Sequence, residues 1–337
     1  MLIDRFFAAG REFLGCRAPI MCGAMTWVSD PQLVTAMGKA GGFGLLAGGN
    51  APVHVLREQI ETTRQMSDCP FGVNIITLAP VYREQLDLAC EMGCEYLVFA
   101  GGIPKKNEIQ QAKSCGAKVI CFASTGALAR QLVTRGADAL ILEGSEAGGH
   151  IGPVALSVLI QQILFKVHKV PVFIAGGIAT GRMMAHLLMM GAAGIQMGTR
   201  FVMAEECIAH PSFKEAFRKA KARDAMATPQ FDSRLPVVPV RALKNDGTLE
   251  FNKLQLEVLY KLDQGEIDKH EAQYEVEKFW VGALKRAVID GDVTKGSLMA
   301  GQSVGLADKV MPLKDIIEEF IEEAEDELRR LKALLSD

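Results

Sequence analysis

The chain has 337 residues, of which 49% are apolar and 23% charged, with a formal net charge of −3 at pH 7. That length and apolar content suit one large α/β barrel or two modest domains. The charge gives no basic footprint for nucleic acid, no apolar run reaches membrane length and no signal-peptide pattern opens the chain, so a cytoplasmic protein is expected.

Residues 1 to 17 read as a short amphipathic helix and turn, with Phe6, Phe7 and Phe13 as packing groups. Pro19 to Cys22 is a first strand ending in Gly23-Ala24-Met25, and Asp30-Pro31 is an N-cap with proline at the first helical position. Phe43 to Leu46 is the second strand, ending in Gly48-Gly49-Asn50, and a helix over about 52 to 66 follows. The third strand, Phe71 to Ile76, leads to a helix over about 80 to 92, and Cys90 and Cys94, four apart, fall within and just past it. They read as small buried hydrophobes before a redox pair or metal site. A fourth strand, Tyr96 to Phe99, ends in Ala100-Gly101-Gly102. A fifth, Lys118 to Phe122, follows a helix over about 105 to 115.

After a helix over about 125 to 135 comes the sixth strand, Asp138 to Leu142, and then Glu143-Gly144-Ser145-Glu146-Ala147-Gly148-Gly149-His150-Ile151-Gly152. This connection to the next helix holds four glycines, which let backbone approach a ligand closely, and a histidine able to exchange a proton near neutral pH. Pro171 to Ala175 is the seventh strand, ending in Gly176-Gly177. The helix after it carries a methionine-rich stripe (Met183, Met184, Met189, Met190) that reads as core packing. The eighth strand, Gly194 to Met197, ends in Gly198-Thr199-Arg200.

Eight strand-then-helix units in about 200 residues predict a (β/α)8 barrel rather than a doubly wound sheet. Its strand ends open on one face, so Gly23, Gly48, Asn74, Gly101, Ser124, Glu143, Gly176 and Gly198 should ring one mouth. Loops after the last two strands, Gly176-Gly177 and Gly198-Thr199, offer backbone N–H groups where such barrels bind phosphate.

Beyond 210 the rhythm changes, with Pro229, Pro236, Pro239 and an Asn245-Asp246-Gly247 turn among helical stretches. Residues 1–210 are therefore read as the barrel and 211–337 as a mainly helical segment covering its mouth. Phe279-Trp280 is the largest apolar group of that segment, and Ser297 to Leu306 is either a plain loop or a lining piece of the mouth. The last helix, about 312 to 335, is apolar on one side and acidic at its centre, read as a solvated face.

Gly23-Ala24-Met25, Pro70 to Asn74, Glu146 to His150, Ala175 to Ile178 and Gln196 to Phe201 together resemble the flavin mononucleotide barrels. That group includes the nitronate monooxygenases (2-nitropropane dioxygenases) and the flavin-dependent enoyl-acyl-carrier-protein reductases. Ala51-Pro52, Glu143-Gly144, Pro239 to Asn245 and Gly296 to Gln302 look more like the reductase branch, while Ala24 departs from the common Gly-Gly-Met first loop. The resemblance implies FMN, its phosphate at Gly176, Gly177, Gly198 and Thr199. Asn74 and Glu143 face its ribityl chain or ring edge, and Gly23, Ala24 and Met25 lie by the ring, with Gly48, Gly148, Gly149 and Gln196 completing the cofactor site. It also implies NADH or NADPH as electron donor and an enoyl thioester, small or bound to acyl-carrier protein, as substrate. His150 is the catalytic residue, with alkyl nitronate oxidation by oxygen as the alternative. No metal is expected, and a homodimer stays open. A barrel that binds a phosphate ligand without catalysis is disfavoured by His150 standing among a full set of glycine loops.

Overall fold

The computed structural model describes residues 1–232, 235 and 238–335; Pro236 and the last two residues of the C-terminal segment lie outside these. Eight parallel strands close into a barrel: β1 (Ile20–Cys22), β2 (Phe43–Ala47), β3 (Phe71–Ile76), β4 (Tyr96–Ala100), β5 (Lys118–Phe122), β6 (Ala139–Glu143), β8 (Val172–Ala175) and β9 (Gly194–Met197). The ring shuts where β1 pairs with β9, Met21 beside Gln196. A short β7 (Gly149–His150) joins β10 (Ala225–Ala227) and β11 (Val240–Leu243) in a separate sheet of order β10-β11-β7.

The helices, in chain order, are α1 (Ile3–Leu14), α2 (Pro31–Lys39), α3 (Val53–Met66), α4 (Tyr82–Glu91), α5 (Lys106–Ser114), α6 (Gly126–Arg135), α7 (Leu156–Leu159), α8 (Gly181–Met189), α9 (Thr199–Val202), α10 (Pro211–Lys219), α11 (Asp246–Asp263), α12 (Lys269–Val288) and α13 (Leu313–Leu334). Their starts follow local chemistry. Asp30 accepts from Leu33 N–H at 2.9 Å ahead of Pro31, while Thr125 and Thr180 accept from Leu128 and Met183 N–H at 3.2 Å.

Side chains alternate across each strand, and the parity fixes what enters the barrel. Met21, Phe43, Leu45, Tyr96, Val98, Ile120, Ile141 and Phe173 fill the interior with Leu14 of α1. Leu46, Val73, Ile75, Leu97, Leu140, Leu142, Ile174 and Ile195 belong instead to the layer beneath the helices. Continuing the same parity toward the strand ends turns Asn74, Glu143 and Gln196 inward, one layer above the apolar fill.

The chain after 210 does two jobs. The α11–α12 hairpin has its own core, where the Phe251 and Trp280 rings lie 4.2 Å apart beside Phe279. Helix α13 packs on the barrel wall against α8, α2 and α1.

Four expectations are corrected. The helix after Pro153 is a single turn, α7, that continues as a π turn over Ile160–Leu164. The Glu143–Gly152 connection contains a strand, β7, because Gly149 and His150 pair antiparallel with Arg241 and Val240. Of the methionine stripe only Met184 is fully buried, while Met183 and Met189 face outward, because Leu187 and Leu188 take the inner positions. The centre of α13 is not all solvated. Glu325 is buried, accepting from Ile3 N–H at 3.0 Å, and Glu327 is buried beside Arg330 and His186, which hold its carboxyl down to about 2.

Candidate active site

The mouth is floored by the inward layer just described. Glu143 registers with Ala175, Ala175 with Gln196, and Gln196 with Met21, so the Glu143 and Gln196 side chains share one side of the opening. Asn74 stands on the other side between Ala47 and Val98, its amide donating to Val98 O at 3.3 Å. Burial pushes the Glu143 carboxyl up to about 8, so the group is mostly protonated at neutral pH. Gln196 is buried, and its Oε1 is a buried acceptor with no hydrogen-bond partner among the described residues.

Glycines clear the space above this floor. A Cβ on Gly23 would stand 3.1 Å from Gln196 Nε2, and one on Gly198 3.3 Å from Met25 Sδ. Gly176 and Gly177 hold φ of 92° and 72°, a left-handed pair that suits glycine and turns the chain sharply after β8. Because β8 and β9 are neighbours, this turn lies next to Gly198-Thr199. The first loop is braced from below by Ser29, whose Oγ donates to Gly23 O at 3.0 Å and accepts from Met25 N–H at 2.9 Å. Gly48 is braced by Gln85, whose amide donates to Gly48 O and Ala51 O. Neither Ser29 nor Gln85 carries a motif that sequence reasoning could have used.

Not every residue of the glycine-rich connection faces the opening. The Glu146 carboxylate accepts from Leu156 N–H at 3.1 Å and starts α7. Gly148 is pressed against Ala300-Gly301, where a Cβ would meet backbone at 2.5 Å, so close packing accounts for that glycine. Gly149 has φ of 74° and lies by Met299. The 297–306 stretch is thus part of the mouth: Gly301 N–H donates to Thr199 Oγ1 and Gln302 N–H to Glu146 O, both at 2.9 Å. Arg200 turns away from the opening to Lys309 O and Glu319.

His150 sits on β7, above the end of β6 rather than on it, with its side chain 39% exposed and Nε2 3.3 Å from Glu277 Oε2 of α12. Arg241 of β11 donates to Ser145 O and Ala225 O and pins this connection to the outer sheet. Glu277 was invisible in sequence, since only tertiary packing brings it to His150. The arrangement offers glycine loops at the ends of β1, β2, β8 and β9, a polar inward floor and the His150 imidazole at the rim.

Residues 9–323 match the model of the nitronate monooxygenase family. FabK from Thermotoga maritima superposes with a TM-score of 0.86 at 36% identity, over 96% of this chain and 98% of that one. A nitroalkane oxidase from Streptomyces ansochromogenes does so at 0.79 and 25%, over 96% and 99%. A relative from Rhodococcus jostii, named (3aS,4S,5R,7aS)-5-hydroxy-7a-methyl-1-oxo-octahydro-1H-indene-4-carboxyl-CoA dehydrogenase, is 30% identical over 96% of both chains. A probable nitronate monooxygenase from Staphylococcus saprophyticus is 25% identical over 94% and 97%. The chain therefore belongs to the nitronate monooxygenase family of flavin-dependent oxidoreductases.

Proposed function

We propose that this protein is an FMN-dependent reductase that uses NADH or NADPH to reduce trans-2-enoyl thioesters carried on acyl-carrier protein, as fatty-acid synthesis requires. The observation that carries this reading is the likeness to FabK, an enoyl-acyl-carrier-protein reductase, at 36% identity across nearly the whole chain. The name of the Rhodococcus relative also gives it a carboxyl-CoA, a thioester, as substrate.

The residues present fit FMN. Gly176, Gly177, Gly198 and Thr199 would hold its phosphate, since two of these glycines sit at positive φ and Gly198 leaves room where a Cβ would crowd Met25. Gln196, with its unpartnered Oε1, Asn74 and the protonated Glu143 would hold the polar edge. Gly23, Ala24, Met25 and Gly48 would lie along the ring. Bound there, the flavin supplies the relay of two electrons and a proton from nicotinamide to the β-carbon of the substrate.

The chain's own part is at the thioester. Negative charge gathers on the thioester oxygen as the β-carbon is reduced, and His150 donates a hydrogen bond to that oxygen or a proton to the α-carbon. Gly148 and Gly149 deliver the histidine over the opening, and residues 299–302 wall it from water on the side of Thr199.

The test separates two half-reactions by anaerobic stopped flow. Protein reduced by NADH or NADPH should be reoxidised rapidly by crotonyl thioester. His150→Ala should keep its flavin and its rate of reduction but slow reoxidation by roughly a hundredfold or more. A second reading, oxidation of alkyl nitronates with oxygen, is favoured by the Staphylococcus saprophyticus relative. It replaces the first if the wild type ignores enoyl thioesters and consumes oxygen with a nitronate.

A further inference from the structure

We infer that Glu277 is a positioning residue for His150, delivered to the mouth by α12 and necessary for the imidazole to meet the thioester oxygen. The inference rests on the reductase reading above.

Among the described residues, Glu277 is the one charged or polar side chain that holds the His150 ring, with Oε2 3.3 Å from Nε2. The histidine stands on a two-residue strand whose antiparallel partner fixes its backbone but not its χ angles. Without a partner the ring, 39% exposed, is free to turn about both. With Nε2–H facing Glu277, Nδ1 is the nitrogen left for substrate, and it donates to the thioester only from a ring that carries a proton on both nitrogens.

The carboxylate does not arrive by chance of a long side chain. Glu277, Val281 and Lys285 are spaced by four on α12 and so share one helix face. The other two hold the loop that follows β1. Trp27 Nε1 donates to Val281 O at 3.3 Å, and Lys285 Nζ lies 5.2 Å from the centre of the Trp27 ring. Trp27 is the one non-glycine residue at positive φ among the described residues, at 66°, a conformation a bulky side chain keeps only when its surroundings insist. One face of α12 thus bridges the mouth from the β1 loop to His150 and sets the height at which Glu277 stands. As a stabilising contact the half-exposed pair is worth little, which leaves orientation as what it contributes.

The test is a double-mutant cycle on reoxidation of the reduced protein by crotonyl thioester. Glu277→Ala should slow this step by about tenfold or more, as loss of an orienting partner does, while leaving reduction by NADH unchanged. Added to His150→Ala, the same substitution should change the rate by less than about twofold, because there is no ring left to orient. Glu277→Gln, which keeps an acceptor at the same reach, should restore most of the rate. The unfolding midpoint of Glu277→Ala should move by less than about 3 °C. Equal slowing by Glu277→Ala with and without His150 would show a structural role and overturn the inference. So would a wild-type rate in Glu277→Ala alone. If instead His150→Ala itself reoxidises at the wild-type rate, the role of His150 fails first and takes this inference with it.

Discussion

The two ends of the barrel are built on opposite terms. At the end where the strands begin, Phe13 and Leu14 of α1 and the loop behind it plug the opening. Phe13 meets Tyr96 at 6.1 Å and Phe173 at 6.0 Å between ring centres, and Phe43 meets Tyr96 at 4.9 Å. The polar atoms there are satisfied, since Tyr96 Oη and Lys118 Nζ both donate to Phe13 O. At the end where the strands finish, the same inward positions hold Asn74, a carboxyl raised by burial and a glutamine with an unpartnered oxygen. One end is packed for stability. The other carries polar groups in the inward layer under the mouth, one of them a buried acceptor without a partner among the described residues.

Exchanging the properties of the two ends should therefore separate binding from folding. The largest effect is expected from Gly177→Asp at the open end. Its carboxylate would stand where the flavin phosphate is proposed to bind, so the protein should be isolated folded but colourless. Gly177→Asn, of the same shape without charge, should retain more flavin, and visible flavin absorbance per mole of protein reads both. Full colour in the aspartate variant would place the phosphate elsewhere.

Next comes Phe43→Ala at the closed end, which deletes a fully buried ring. Denaturant unfolding should show a loss of about 3–5 kcal/mol, with flavin content of the folded fraction unchanged. A variant that lost flavin in proportion would mean that the two ends are not independent.

Glu143 gives a pH test of the polar floor in flavin-free protein. Its folded pKa of about 8 lies above the ordinary carboxyl value of 4.5, so the folded state holds its proton more tightly than the unfolded state. That contribution is whole below the unfolded value and is lost as pH rises from about 4.5 through about 8, by on the order of 1 kcal/mol or more. Glu143→Gln should remove this part of the slope, and parallel pH profiles for the two proteins would sink the assignment. The smallest effect is expected from Lys118→Met at the closed end. Lys118 Nζ lies 4.9 Å from the centre of the Tyr96 ring, and its loss should cost about 0.5–1 kcal/mol at the partly exposed rim.

How much of this was open to sequence reading follows the same divide between local and distant contacts. The eight barrel strands are short apolar runs, most with glycine or proline near one end, and β3, β5 and β9 fall on the residues expected from the pattern alone. Asn74, Glu143, Gln196 and the glycine pairs could be placed at strand ends for the same reason. The β10-β11-β7 sheet could not be seen, because strands of two to four residues show no periodicity and their partners lie far along the chain. Glu325 and Glu327 were read as solvated because an acidic run on a helix ordinarily is. Their burial depends on Ile3, His186 and Arg182, which no local window contains. Gly148 shows the limit within a motif, since its missing side chain makes room for the Ala300-Gly301 backbone, a contact no local window contains.

The contact of α13 with α1 carries a consequence for how the molecule comes into being. Ile3 N–H is received by Glu325, 322 positions away in the chain, and the barrel ring itself closes only when β9 reaches β1. During synthesis, a nascent chain lacking α13 leaves the outer side of α8 bare and the first helix without its acceptor. Such long-range closure slows the search for the native state and leaves apolar strand edges exposed meanwhile. Helix α1 therefore settles fully only once α13, whose Glu325 is made 322 positions after Ile3, is free to join it.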